Sequence, residues 1–207
     1  MEWRNEDADG QSGPRSAQSE RQSPMTRIAT IPSIAEAPPA AKPLLEDARK
    51  KLGSVPNLFR VIANSPAALA GYFDLSAALS KGRLDAKTHE RIALAVAEIN
   101  GCSYCLSAHS YLARHVAKLD DEELTANRNG ASNDPKADAA VRFAATIVRN
   151  RGHVSDADVV AVRQAGFDDA ELVEIVAHVA LNTLTNYVNE VARTEIDFPE
   201  VSPRKTA

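Results

Sequence analysis

Cys102 and Cys105 are the only two thiols in a chain of 207 residues, and they sit together in the stretch "NGCSYCLSAHS" with His109 close behind. On a helix that opens at Cys102, positions 102, 105 and 109 fall at i, i+3 and i+7 and share one face. A thiol at a helix N-terminus meets unpaired amides and the positive end of the helix dipole, which favour its thiolate. Two cysteines at C-x-x-C spacing can form a disulfide with little backbone movement. His109, one turn beyond Cys105, is placed to exchange a proton with it. Three chemistries are open: a redox pair, a zinc site completed by Glu90, or two small apolar residues packed in a helix interface. A structural zinc site usually draws a second pair of strong ligands, and this chain has no further cysteine.

The preceding segment, "LDAKTHERIALAVAEING", opens at Asp85, a good N-cap, and closes at Gly101. If it pairs with the cysteine helix as an antiparallel hairpin turning near Gly101, Glu90 comes level with residues 110–112. It is then within reach of His109, whereas Glu98 comes level with Tyr104. A carboxylate beside an imidazole orients it and raises its basicity. The expected relay is Glu90–His109–Cys105, with Cys102 as partner thiol.

The rest of the chain reads as further helices. A break at Ser65-Pro66 separates a short helix from one ending near Gly82. Pro135 stands at a first helical position, Ser155 with Asp158 resembles a capping box, and a long helix carries Ile175, Val179, Asn182 and Asn186. Strand alternation is nearly absent, and a thioredoxin-type framework is not visible. The expected fold is all-α, a compact single-domain helical bundle over residues 41–200 with the C-x-x-C at a helix N-terminus. Residues 1–40, rich in Ser, Pro, Gln and charge, are expected to form a disordered leader, and 201–207 a disordered tail. "LDAKTHERIALAVAEI" and "FDDAELVEIVAHVAL" share an acidic cap before an Ala/Ile/Val-rich helix, which either a duplication or independent capping produces.

Composition narrows the function classes. The net charge of −4 and pI near 5.8 argue against a nucleic-acid surface. No apolar run is long enough to span a bilayer, and the polar N-terminus has no signal-peptide core, so a cytoplasmic protein is expected. In that compartment a close cysteine pair points to catalysis or metal rather than a structural disulfide.

The run from Glu90 to His109, "ERIALAVAEINGCSYCLSAH", resembles the signature of the carboxymuconolactone decarboxylase superfamily, in its alkylhydroperoxidase D-like, peroxidase-related branch. That branch has a glutamate twelve positions before the first cysteine and a histidine four after the second, as Glu90, Cys102, Cys105 and His109 do here. The likeness runs over roughly residues 43–200, including "PNLFRV" and "LNTLTNYVNEVA". It implies an all-helical homo-oligomer (dimer, trimer or hexamer) without metal or organic cofactor. The implied activity is reduction of a hydroperoxide substrate by the dithiol, with the disulfide reopened by a dithiol or lipoyl-type reductant. In that scheme Cys105, activated by His109 and Glu90, attacks the peroxide and Cys102 condenses with the product; the opposite order of the two thiols is the alternative. A second class of function is a non-catalytic redox sensor using the same pair. Tyr104 departs from characterised alkylhydroperoxidase D proteins, which carry a histidine there.

Other polar residues have plainer expectations. His89 and His115 read as solvated helix positions, His153 as a loop residue, and His178 as a satisfied core histidine or, alternatively, a residue lining the site. Asn182, Asn186 and Tyr187 read as packing at a helix interface, with lining of the pocket as the alternative. Tyr104 and Tyr111 fit either aromatic packing or a substrate channel, and "DDEEL" at 120–124 a solvated helix start.

Overall fold

A computed structural model describes residues 26–204. Among these, 65% are helical and there is no strand. A 3-10 turn at Ile34–Glu36 precedes α1 (Lys42–Leu52), α2 (Asn57–Ile62), α3 (Pro66–Leu79), α4 (Ala86–Ile99) and α5 (Ser103–His115). Then come α6 (Asp121–Arg128), α7 (Pro135–Arg149), α8 (Asp156–Gln164) and α9 (Asp169–Ala192). None of these helices is long and apolar enough to cross a membrane.

Helix α4 is the axis of the bundle, packed by α5, α6, α7 and α9. Its run Ile92–Ala97 is buried on every side, as a helix enclosed by others must be. Its alanines let neighbouring backbones approach, while Ile92, Leu94 and Val96 each contribute about 1.5–3 kcal/mol by leaving water. Two cores result. Ile92 and Val96 join Phe143, Ile147, Val162 and Ile175, whereas Leu94 and Ala97 join Leu45, Leu69, Leu106 and both cysteines.

The expected stops and starts hold where a cap defines them. The Asp85 carboxylate accepts from Thr88 N at 2.8 Å, and Ser155 with Asp158 forms a full capping box. A second capping box, Asp168 with Glu171, opens α9. Helix α3 stops at Leu79, short of Gly82, because the chain there turns onto α9. Glu174 Oε2 accepts from Arg83 N (2.7 Å) and Leu84 N (3.1 Å), and a Cβ on Gly82 would lie 2.6 Å from that oxygen.

Both expected domain edges shift. Residues 1–25 and 205–207 lie outside the described residues. Residues 26–40, expected to belong to a disordered leader, instead lie against α2 and the end of α9. Arg27 N donates to Ala192 O (2.8 Å), Arg60 Nε to Ile31 O (2.6 Å) and Asn64 Nδ2 to Ala29 O (2.8 Å), with Ile31 and Ala37 buried. At the other end, Val201 N donates to Ser107 Oγ (2.8 Å) and Arg204 N to Glu98 Oε1 (2.7 Å). Composition underrates such segments because the partners that satisfy their backbone lie far away in sequence.

"DDEEL" does open a helix, with Asp120 capping Glu123 N at 2.8 Å, but it is not wholly solvated. Glu123 is buried and accepts from Arg91 Nε (2.7 Å), Asn127 Nδ2 (2.9 Å), Ser132 Oγ (2.5 Å) and Asn133 N (2.7 Å). Burial alone would raise its pKa; the four donors more than reverse this and bring it down to about 2.

Candidate active site: a buried dithiol beside a glutamate–histidine pair

Gly101 makes the turn that assembles the site. At φ +71° it sits in the left-handed region, where a side chain is strained. Its N–H donates to Glu98 O (3.1 Å) and Cys102 N–H to Ala97 O (3.0 Å), the hydrogen-bond pair of a Schellman stop. The chain leaves α4 and enters α5 one residue later, with Cys102 as N-cap. Cys102 Sγ accepts from Cys105 N at 3.3 Å. Both cysteines are free, with Cys102 fully buried and Cys105 2% exposed.

The hairpin brings Glu90 to His109: His109 Nδ1 donates to Glu90 Oε2 at 2.9 Å, with both side chains about one-fifth exposed (22% and 20%). Burial would lower the His109 pKa, but the charge and hydrogen bond of Glu90, helped by the charge of Cys105, carry it above its ordinary value. Cys105 moves the other way. A hydrogen bond from the Cys102 thiol, the positive charge of His109 and the side-chain amide of Asn189 outweigh burial and lower it to about 7. The Cys102 thiol is pushed well up, first by that same hydrogen bond toward Cys105 and then by burial. Position at the helix N-terminus therefore does not make Cys102 the thiolate: its neighbour and its burial win. The two thiols are driven apart, Cys105 down and Cys102 up.

Glu98 takes no part in this. It pairs with Arg128 Nε at 2.6 Å and holds the backbone of Arg204. Tyr104 is buried, its hydroxyl donating to Asp197 Oδ1 (2.7 Å) and accepting from Leu58 N (3.1 Å). Between the two cysteines in sequence, it points away from the chemistry and ties α5 to α2 and the C-terminal strap. Tyr111 is largely exposed, stacked on the exposed His115.

A cavity of about 230 Å³ lies against Glu90 and His109, with Tyr72, His89, His178 and Asn182 among its walls and neither cysteine lining it. Burial, then the charges of Cys105 and Glu90, push the Tyr72 hydroxyl up to about 12. Two sequence expectations change here. His89 is half-buried rather than solvated, its ring stacked on that of His178 at 4.1 Å between centroids. His178 is buried but not satisfied: its Nε2 has no hydrogen-bond partner, nor has that of His89. Burial, then the charge of His89, lowers His178 to about 4, and burial lowers His89. Nothing in the sequence announces this pair, because 89 and 178 meet only when α4 and α9 pack.

Asn189, inside the Asn-rich helix but not expected at the site, donates from Nδ2 to Cys105 Sγ at 3.3 Å. Asn186, expected as packing, is fully buried and accepts from Asn100 Nδ2 at 2.9 Å. Asn182 folds back on its own helix, donating to His178 O (2.8 Å), and Tyr187 is exposed. The signal for the two site amides was a polar face at 182, 186 and 189 on an apolar helix. The four side chains of the zinc alternative do not converge: Glu90 is committed to His109, and no cluster of three or more His, Cys, Asp or Glu fit for a metal occurs among the described residues.

The fold and site define a helical protein with a buried dithiol beside a carboxylate–imidazole pair. Residues 66–146 match the carboxymuconolactone decarboxylase family. The fold is that of the alkylhydroperoxidase AhpD core of an uncharacterized peroxidase-related protein from Ralstonia eutropha: 28% identity, 84% of this chain and 93% of that one, TM-score 0.74. A peroxidase-related protein from Silicibacter is similar at 27% identity, over 83% of this chain and 95% of that one, TM-score 0.69. The debrominase Bmp8 shares the fold at 19% identity, over 77% of this chain and 87% of its own, TM-score 0.65. No protein of curated function matches the chain. The matched segment carries the pattern of the carboxymuconolactone decarboxylase family, and over most of its length the chain is similar to alkylhydroperoxidase D-like, peroxidase-related proteins.

Proposed function

We propose that the chain is a thiol-dependent peroxidase that reduces hydroperoxides through Cys105 and Cys102. The observation that carries this reading is the Glu90–His109 hydrogen bond of 2.9 Å, set one turn from a Cys105 thiol lowered to about 7. At neutral pH the proton of Cys105 rests on His109, giving a thiolate beside an imidazolium that Glu90 stabilises. The thiolate attacks the terminal oxygen of ROOH; the O–O bond breaks, sulfur takes the hydroxyl, and ROH leaves with the proton from His109. Cys102 then displaces that hydroxyl as water, forming the Cys102–Cys105 disulfide. An external dithiol of lipoyl type restores both thiols by two exchanges and leaves as its own disulfide. The hydroperoxide gains two electrons and the external dithiol loses two.

Peroxide consumption with dihydrolipoamide as donor tests the cycle. Wild type should turn over, Cys105→Ser should lose all activity, and His109→Ala should fall by about 10²-fold or more. Cys102→Ser should react once and accumulate sulfenic acid. A wild-type protein that neither consumes hydroperoxide nor forms a reversible disulfide overturns the proposal. Reversible disulfide formation without turnover would instead favour the redox-sensing alternative.

A further inference from the structure

Helix α9 turns Asn186 and Asn189, at i and i+3, toward α5, both almost fully buried (0% and 3% exposed). Asn189 Nδ2 donates to Cys105 Sγ at 3.3 Å. Asn186 is held by its other end. Asn100, the C-cap of α4, donates from Nδ2 to Asn186 Oδ1 at 2.9 Å, which fixes which way that amide faces. Its own Nδ2 is then buried without a hydrogen-bond partner. A buried amide donor left unpaired is costly unless a charge develops for it to serve. The sulfur of Cys105, which already accepts from Asn189 Nδ2, is the charge such a donor favours.

We propose that Asn186 and Asn189 form a two-amide cradle for the Cys105 thiolate, with Asn100 as the residue that positions Asn186. The cradle rests on the reading of Cys105 as the attacking thiol and adds to the effect of the Cys102 thiol and the His109 charge on that sulfur. Cys102 Sγ receives one backbone N–H, from Cys105, whereas the Cys105 sulfur accepts from Asn189 Nδ2 at 3.3 Å and is favoured as thiolate by the Cys102 thiol and the charge of His109. The amides are preorganised and dry, so they stabilise negative charge without reorganising when it forms. The stop of α4 thereby does two jobs: Gly101 turns the chain into α5, and Asn100, one residue earlier, holds the Asn186 amide by its oxygen and leaves its N–H group free to donate.

The titration of Cys105, followed by its ¹³Cβ NMR shift, tests this without requiring a reagent to reach the sulfur. Wild type should titrate near 7. Asn189→Leu and Asn186→Leu should each raise the midpoint by about one unit or more, the loss of a hydrogen bond to a charged group. Asn100→Ala, at a half-buried turn, should raise it by less, and Asn189→Gln should recover part of the Asn189→Leu shift. If the leucine variants fail to fold, Asn189→Ser and Asn100→Ala carry the test. A folded Asn189→Leu or Asn189→Ser protein with an unmoved Cys105 midpoint overturns the cradle. Because the titration needs no turnover, a raised midpoint in a protein that reduces no hydroperoxide would refute the peroxidase and leave the cradle standing. An unmoved midpoint in an active enzyme would refute the cradle alone.

Discussion

At the scale of single residues, the site depends on where protons sit. His109 is held above its ordinary pKa by Glu90 against the opposing effect of burial. Removing the charge with Glu90→Gln leaves burial dominant, so the His109 midpoint should fall below about 6.5. An imidazole ¹H NMR titration reads this, and a midpoint that stays high would show that Glu90 is not the partner that matters. Hydroperoxide reduction should rise with pH as Cys105 ionises, with a midpoint near 7, and in Glu90→Gln that limb should move up. Of these residues, Cys102, Cys105, His109 and Glu90 were legible from spacing, because a helical hairpin about a glycine leaves little freedom in which levels face each other. Asn189 and His89 were not, since α9 lies some eighty residues away and its rotation about α4 and α5 is set by packing of the whole bundle.

At the scale of elements, α4 is both the floor of the site and the most buried helix, so perturbing its contacts should cost stability and chemistry together. Arg91 and Glu123 form an ion pair of 2.7 Å with both side chains under a tenth exposed (9% and 7%). Removing one member leaves the other charged and buried, so Arg91→Ala should destabilise by about 3–5 kcal/mol, read by urea denaturation. A loss below about 1 kcal/mol would show that water reaches the pair. Gly101→Ala forces a side chain into φ +71° and should cost about 1–2 kcal/mol. It should also slow peroxide reduction by shifting Cys102 relative to His109; unchanged kinetics at reduced stability would separate the turn from the site.

At the scale of the whole molecule, acid should unfold the protein in two windows. His178 is depressed to about 4, so between pH 6.5 and 4 the unfolded chain binds the extra proton and stability falls with pH, by at most about 3 kcal/mol. The rings and carboxylate that bear on it are His89, which opposes its charge, and Glu174, which favours it. Glu123, depressed to about 2, adds a second loss as pH falls from about 4.5 toward 2. Thermal melts across this range should show both, and His178→Leu should flatten the first; a slope that persists in that variant would place the sensitivity elsewhere. A stripe on α9, with Val173, Val176, Leu184, Tyr187 and Val191 each 45–68% exposed, runs beside a groove of about 480 Å³ against α7. If that stripe is covered by a second copy, Leu184→Glu with Tyr187→Glu should reduce the sedimentation coefficient to that of a single chain, whereas unchanged assembly would move the interface to another face.

The sequence by itself determined the helices, their caps and the hairpin that joins Glu90 to His109, because these follow from local periodicity, capping chemistry and one glycine. It also determined that the thiols are paired. Only the tertiary structure placed the buried Asn189 amide of α9 against Cys105, a contact that no local pattern encodes. It likewise decided that Tyr104 is a strut held by Asp197 and Leu58 rather than a group facing substrate. Finally, it decided that residues 26–40 and 201–204 belong to the fold: their few apolar side chains and backbone groups gain partners only once the helices they cross are already in place.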